Sequence, residues 1–154
     1  MRTTGEISPF SPGQSSAMDN SKTQTHTALQ EVRAEMYGLP KNIDLSFLNG
    51  REVIQIAIGI FQVQFGFDED AAIYVHSQFT HFDGHQDWIW TPEPSKVQVA
   101  ARALSLLGAT VERVQAHEDG TLILFFANGH RLTLINNKEY ESYDIKRPGE
   151  TITV

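Results

Sequence analysis

Histidines and carboxylates concentrate in one stretch of the chain: His76, His81, Asp83, His85 and Asp87. Imidazoles and carboxylates are the donors that zinc and similar ions take, and His81 and His85 stand at the i,i+4 spacing that a helix would turn to one face. The surrounding residues, however, read as a strand running into a loop, where that spacing has no such meaning. On a regular strand His76 and His81 face opposite sides. A polar strand end with solvated imidazoles is the first expectation, and a metal held by His81 and His85 the second. Asp68, Glu69 and Asp70 lack the spaced oxygens and distal Glu of a calcium loop and read as a hairpin tip. Glu139, Glu141 and Asp144, beside Tyr140 and Tyr143, have no nucleophile or oxyanion donor near them in sequence, so no catalytic residue is assigned. The glycines stand singly at strand ends or turns, so there is no phosphate-cradling loop, and no cofactor is expected.

Aromatic residues offer a different chemistry. Phe79, Phe82, Trp88 and Trp90 cluster beside Asp83, Asp87 and Glu93. A two-tryptophan loop with an acidic rim suits protein recognition, and Phe82, Trp88, Trp90, Asp83 and Asp87 are the candidate partner-binding residues. The competing expectation is that both indoles close the end of the core, with their N–H groups bonded to backbone.

Composition narrows the classes. The chain has 154 residues, 40% hydrophobic and 20% charged, with no cysteine. Disulfides, thiolate metal sites and a cysteine nucleophile are therefore excluded. The formal charge is −7. Nucleic acid and anionic membrane both require a basic face, so neither is an expected partner, whereas a basic protein is. No apolar run is long enough to span a bilayer and the N-terminus has no signal-like core, so the expected compartment is the cytoplasm.

The elements that must position these residues follow from periodicity. Residues 1–26 are rich in Ser, Thr, Pro, Gly and Gln and predict a disordered tail, with Met18 an alternative start. Residues 27–39 predict a short helix or linker ending at Gly38 and Pro40, and residues 40–154 a single α+β domain. Glu52–Ile58, Ile60–Phe67 and Ala71–Phe82 read as three strands, with Phe61, Val63, Phe65 and Phe67 sharing one face. A loop then runs from Asp83 through Pro94. Ser95 as N-cap, with Gln98 completing a capping box, predicts a helix to Leu107 that is buried over much of its girth. Thr110–Ala116, Thr121–Phe126 and Arg131–Ile135 repeat the three-strand pattern, with an Asn128–Gly129 hairpin turn. Glu141–Ile145 and Thr151–Val154 form a final pair. Val63, Phe65, Phe67, Ile73 and Val75 match Leu122, Leu124, Phe126, Leu132 and Leu134 without a gap, and Val53 matches Val111 if the second half has one extra residue at its first turn. The fold expected is an antiparallel, β-rich α+β domain: two related meanders flanking one helix, plus a C-terminal strand pair.

Leu48-Asn49-Gly50, Phe65-Gly66-Phe67, Leu106-Leu107-Gly108, Asp119-Gly120-Thr121-Leu122, Phe126-Ala127-Asn128-Gly129 and Tyr140-Glu141-Ser142-Tyr143 resemble a family of small bacterial proteins of unknown function. The resemblance covers about residues 45–154, and some members look like immunity or accessory proteins of toxin systems. It implies no catalytic residues. Together with the small size, acidity and aromatic loop, it leads to the expectation of a non-enzymatic binding protein, in its narrower form an immunity-type inhibitor of a basic partner. A small-ligand or metal-binding sheet protein and an unrecognised hydrolase are the alternatives. A homodimer, through an exposed sheet edge or through the aromatic loop, is compatible with each.

Overall fold

Alternation of buried and wetter side chains decides the strands. In the computed structural model, which describes residues 39, 40 and 42–154, Val63, Phe65 and Phe67 are buried while Gln64 and Gly66 are half-exposed, and Leu122, Leu124 and Phe126 alternate in the same way. The expected tail over 1–26 lies outside the described residues. So does the expected helix over 27–39, apart from Leu39, which is in no regular element.

Ten strands form: β1 (Val53–Ile58), β2 (Val63–Phe67), β3 (Ala72–Val75), β4 (Gln78–Phe82), β5 (Asp87–Trp90), β6 (Val111–Ala116), β7 (Leu122–Phe126), β8 (Arg131–Ile135), β9 (Tyr143–Arg147) and β10 (Glu150–Thr153). They make two antiparallel five-stranded sheets, ordered β1-β2-β3-β9-β10 and β5-β4-β8-β7-β6. Each sheet therefore combines the meander of one half with the hairpin of the other. Phe65 of β2 meets Phe79 of β4 edge-to-face at 5.6 Å, so the inner faces pack on one another around a shared core. Burying each such aromatic contributes about 2–3 kcal/mol.

The two halves are equivalent in detail. A 3-10 turn at Ser46–Leu48 precedes β1 and another at Ala103–Leu106 precedes β6, with Leu48 and Leu106 both fully buried. Gly50 and Gly108 follow these turns at φ of 81° and 84°, a conformation that costs a side-chain-bearing residue free energy. Gly50 N donates to Val111 O and Gly108 N to Val53 O, and Glu52 pairs with Thr110, so the halves meet residue against equivalent residue. Both first hairpins carry a bulge just after Val53 and Val111. The extra residue expected in the second half falls at its first turn: Gly59 N closes on Gln62 O around Ile60–Phe61, whereas His117 N closes on Thr121 O around Glu118–Gly120.

Several expectations are corrected. The third strand does not run unbroken to Phe82. The amides of His76 and Ser77 both donate to Ser142 O, which bends the chain and sends β4 into the opposite sheet. The Asp83–Pro94 segment is not all loop, because β5 pairs with β4. The Asn128–Gly129 turn is a three-residue connection, with Phe126 N bonding His130 O, and of these two residues only Gly129 has positive φ. The helix is a six-residue α1 (Val97–Arg102) between 3-10 turns at Pro94–Lys96 and Ala103–Leu106. Ser95 caps nothing and instead donates to Glu93. Since α1 lies along the side of the sandwich against β5 and β1, it buries only a stripe, and Leu104 and Leu107 remain exposed.

Phe61 is likewise exposed, not in line with Val63 and Phe65. Phe65→Ala is expected to cost about 3–5 kcal/mol in urea unfolding, and Phe61→Ala less than about 0.5 kcal/mol. Equal losses at the two positions would contradict this assignment of faces.

Candidate functional site

The β4–β5 hairpin holds most of the residues that sequence singled out. Asp83 closes its turn: Oδ1 accepts from the amides of His85 and Gln86, and Oδ2 accepts from Trp88 Nε1 at 3.0 Å. The Gln86 amide bond first, then the Trp88 bond, hold the Asp83 carboxyl well below the usual carboxylate range. The Arg102 guanidinium lies 3.6 Å from the centre of the Trp88 ring, so the indole is fixed from its edge and from one face. Phe82 is half-buried with Arg131 over its ring, and Asp87 is exposed. Trp90 belongs to the core. It is fully buried and stacked on Phe79 at 5.2 Å, and its Nε1 has no partner among the described residues. Neither indole N–H bonds to backbone among the described residues.

His81 and His85 do not meet in the way a shared metal requires. His81 points into the core and is only 1% exposed, whereas His85 sits in the exposed turn. Among the described residues no group of three or more His, Asp or Glu is placed to hold an ion. The real partner of His81 is His130, with Nε2 and Nδ1 3.0 Å apart. His81 Nδ1 is buried without a partner among the described residues, so a proton there would be an unsatisfied donor; the proton is therefore assigned to Nε2, which donates to His130 Nδ1 and leaves only a lone pair unsatisfied. Protonating His81 would put a second N–H in that dry position. Burial, and next the neighbouring His130, push its pKa down to about 4, against a weaker upward pull from Asp83. The matching positions of the other sheet carry Ile145 and Ala71, so the pair is confined to one sheet.

His76, just past the end of β3, has its Nε2 3.2 Å from Asp144 Oδ2 on β9. No hydroxyl among the described residues bonds to this His–Asp pair. Glu139 and Glu141 are exposed in the preceding turn and stand apart from it.

Sequence reasoning missed the feature that most separates the halves. Among the described residues, every exposed large hydrophobic side chain except Tyr140 lies on β1 or its turn (Ile54, Ile60, Phe61), on the turn after α1 (Leu104, Leu107), or on β5 (Ile89). The equivalents are Glu112 for Ile54, the Glu118–Gly120 turn for Ile60–Phe61, Ser46 for Leu104, Asn49 for Leu107 and Thr153 for Ile89. Exposed large hydrophobics thus gather on β1, β5 and the turn after α1, where the equivalent positions are polar. The signal in the sequence was the run from Val53 to Phe67, which holds no charged residue.

The histidine pair generates a prediction. With the folded pKa of His81 near 4 and the ordinary value at 6.5, the unfolded chain takes up the proton first as pH falls. Stability is therefore full above pH 6.5 and declines towards pH 4, by about 3 kcal/mol from this group. A His81→Ile/His130→Ala variant, which copies the other sheet, is expected to lose that part of the pH dependence in urea titrations across the window. An unchanged slope would contradict it.

No helix among the described residues is long and apolar enough to cross a membrane, which says nothing of strand-built pores. No curated protein and no solved structure matches the chain. A family model does match, and it starts at Leu45, where the first of the two equivalent halves begins. Over residues 45–154 the chain belongs to the family of unknown function DUF6188.

Proposed function

We propose that this chain is a non-enzymatic protein-binding module that docks its partner on the side of the sandwich carrying α1. The observation behind this reading is the inequality of two otherwise equivalent halves. Backbone geometry, bulges and core positions repeat, yet Ile54, Ile60, Phe61 and Ile89 of the first half, and Leu107 in the turn that opens the second, stand exposed where their equivalents are polar. Exposed apolar residues scattered singly need no explanation, whereas a set gathered along one side marks an interaction surface. Trp88, fixed by Asp83 and Arg102, lies on β5 at the same side, and its locked rotamer lowers the entropy cost of using it as an anchor.

An immunity-type inhibitor of a basic protein is the narrower form of this reading. From Pro40 onward there are 15 Asp and Glu against 9 Lys and Arg, which would steer a basic protein towards the module. Asp87 and Glu93 flank the apolar side on the β5 edge and would form its rim.

Affinity capture from the native host tests the reading. Phe61→Asp and Leu107→Asp are each expected to reduce recovery of a specific partner by roughly tenfold or more, while Glu112→Ala on the matching polar side leaves it unchanged. Recovery that is indifferent to Phe61 and Leu107 would count against the α1 side as the docking surface.

A further inference from the structure

We propose that the occupant of β1 is a second copy of this chain, the two β1 strands pairing antiparallel across a two-fold axis at Ile56. This rests on the reading of the α1 side as a docking surface and names what takes its β1 edge.

The phase of the ladder supplies the first argument. Gly59 N bonds Gln62 O, so the alternation of an antiparallel hairpin makes Ala57 and Gln55 the residues that bond β2. Ile56 and Ile58 then direct their N–H and C=O groups outward, and no backbone hydrogen bond of the described residues takes them up beyond β2. Just before them the edge is already used, because Val53 exchanges bonds with Gly108 and Ala109. Among the described residues the run Ile54–Ile58 thus has no strand on its outer edge, with α1 and the turn after it packed beside β1.

Charge supplies the second. Sheet edges are ordinarily guarded by charged residues that prevent strand addition. The equivalent edge β6 has such a guard in Glu112 and Arg113, the latter stacked 3.6 Å above Phe125. From Val53 through Phe67 there is none. A basic or acidic partner would find no opposite charge on this edge to pair with. A second copy carries the same −7 and is repelled wherever acidic faces meet, but an uncharged edge lets two copies approach without opposing charges.

Self-complementarity supplies the third. With the axis at Ile56, that residue faces its own copy, Ile54 faces Ile58, and Gln55 faces Ala57, which are compatible cross-strand pairs. Ile56 and Ile58 already pack partly against the core, and an added strand would cover what remains exposed. Because the Leu104–Leu107 turn ends where the Ile54–Ile58 run begins, the Ile60–Phe61 tip of each copy would arrive beside Leu107 of the other. Both apolar sets then belong to one interface.

Sedimentation of the full chain tests this. Wild type is expected to form a dimer with a Kd in the micromolar range. Ile56→Lys and Ile56→Glu are each expected to weaken it more than tenfold, and an equimolar mixture of the two to restore association, since opposite charges would face across the axis. An Ile54→Glu/Gln55→Arg variant, which transplants the guard that β6 carries without loss of fold, is expected to be monomeric with an unchanged melting temperature. A wild type that stays monomeric at high micromolar concentration would overturn the proposal. So would a dimer indifferent to these substitutions, or a Lys and Glu mixture that fails to associate. A monomeric wild type whose partner capture still depends on Phe61 overturns self-pairing alone and leaves the protein-binding reading in place. A β1 dimer whose capture of other proteins is indifferent to Phe61 does the reverse.

Discussion

The structure depends on an exchange of hairpins between its two halves. The β4–β5 hairpin follows the first meander but pairs with β8, and the β9–β10 hairpin follows the second meander but pairs with β3. A three-strand meander leaves an apolar face uncovered, and two strands alone are marginal in water, so neither half holds a finished sheet by itself. The exchange completes both sheets at once. At the join, Gly50–Val53 and Gly108–Val111 bond to each other in matched pairs, and Tyr143 OH reaches from one sheet to Gly120 O of the other at 2.6 Å. Burial pushes the Tyr143 hydroxyl pKa upward, so this phenol stays a neutral donor.

Given that constraint, equivalent positions serve as internal controls. Where the two halves agree, the residue type answers to the fold: Leu48 and Leu106, Phe65 and Leu124, Gly50 and Gly108. Where they differ, something other than the fold decided. His81 stands where Ile145 stands in the other sheet, and Trp90 where Val154 stands. Both differences bury a polar atom that has no partner among the described residues, His81 Nδ1 and Trp90 Nε1, at a cost of about 1–3 kcal/mol for such a group. The changes on the outer side follow the same half of the molecule, with apolar residues along β1 and β5 against polar ones along β6 and β10.

Much of this was legible in the sequence, and the limits have physical causes. Period-2 alternation located the meander strands, and the matching of Val63–Val75 with Leu122–Leu134 exposed the repeat because core positions are under the same packing demand in both halves. The β4–β5 hairpin escaped notice because its turn, Asp83–Gln86, is flanked by polar and aromatic residues that read equally well as a loop. Its destination in the other sheet is a non-local fact that no local pattern carries. Sequence predicts a longer helix because Leu104 and Leu107 fit a helical period, while the second half has a 3-10 turn there that buries Leu106 as the equivalent of Leu48. The His81–His130 contact was out of reach for the same reason as the exchange: its members are brought together only by β4 pairing with β8.

The β1 and β6 edges share one ladder phase, and amide exchange reads directly whether β1 alone takes up a second copy. Ile56 and Ile58 on β1 have exact counterparts in Val114 and Ala116 on β6, with the same outward-directed amides. Hydrogen exchange of the full chain as a function of concentration is predicted to slow at Ile56 and Ile58 and to leave Val114 and Ala116 unchanged. Equal, concentration-independent exchange at both edges would contradict the account.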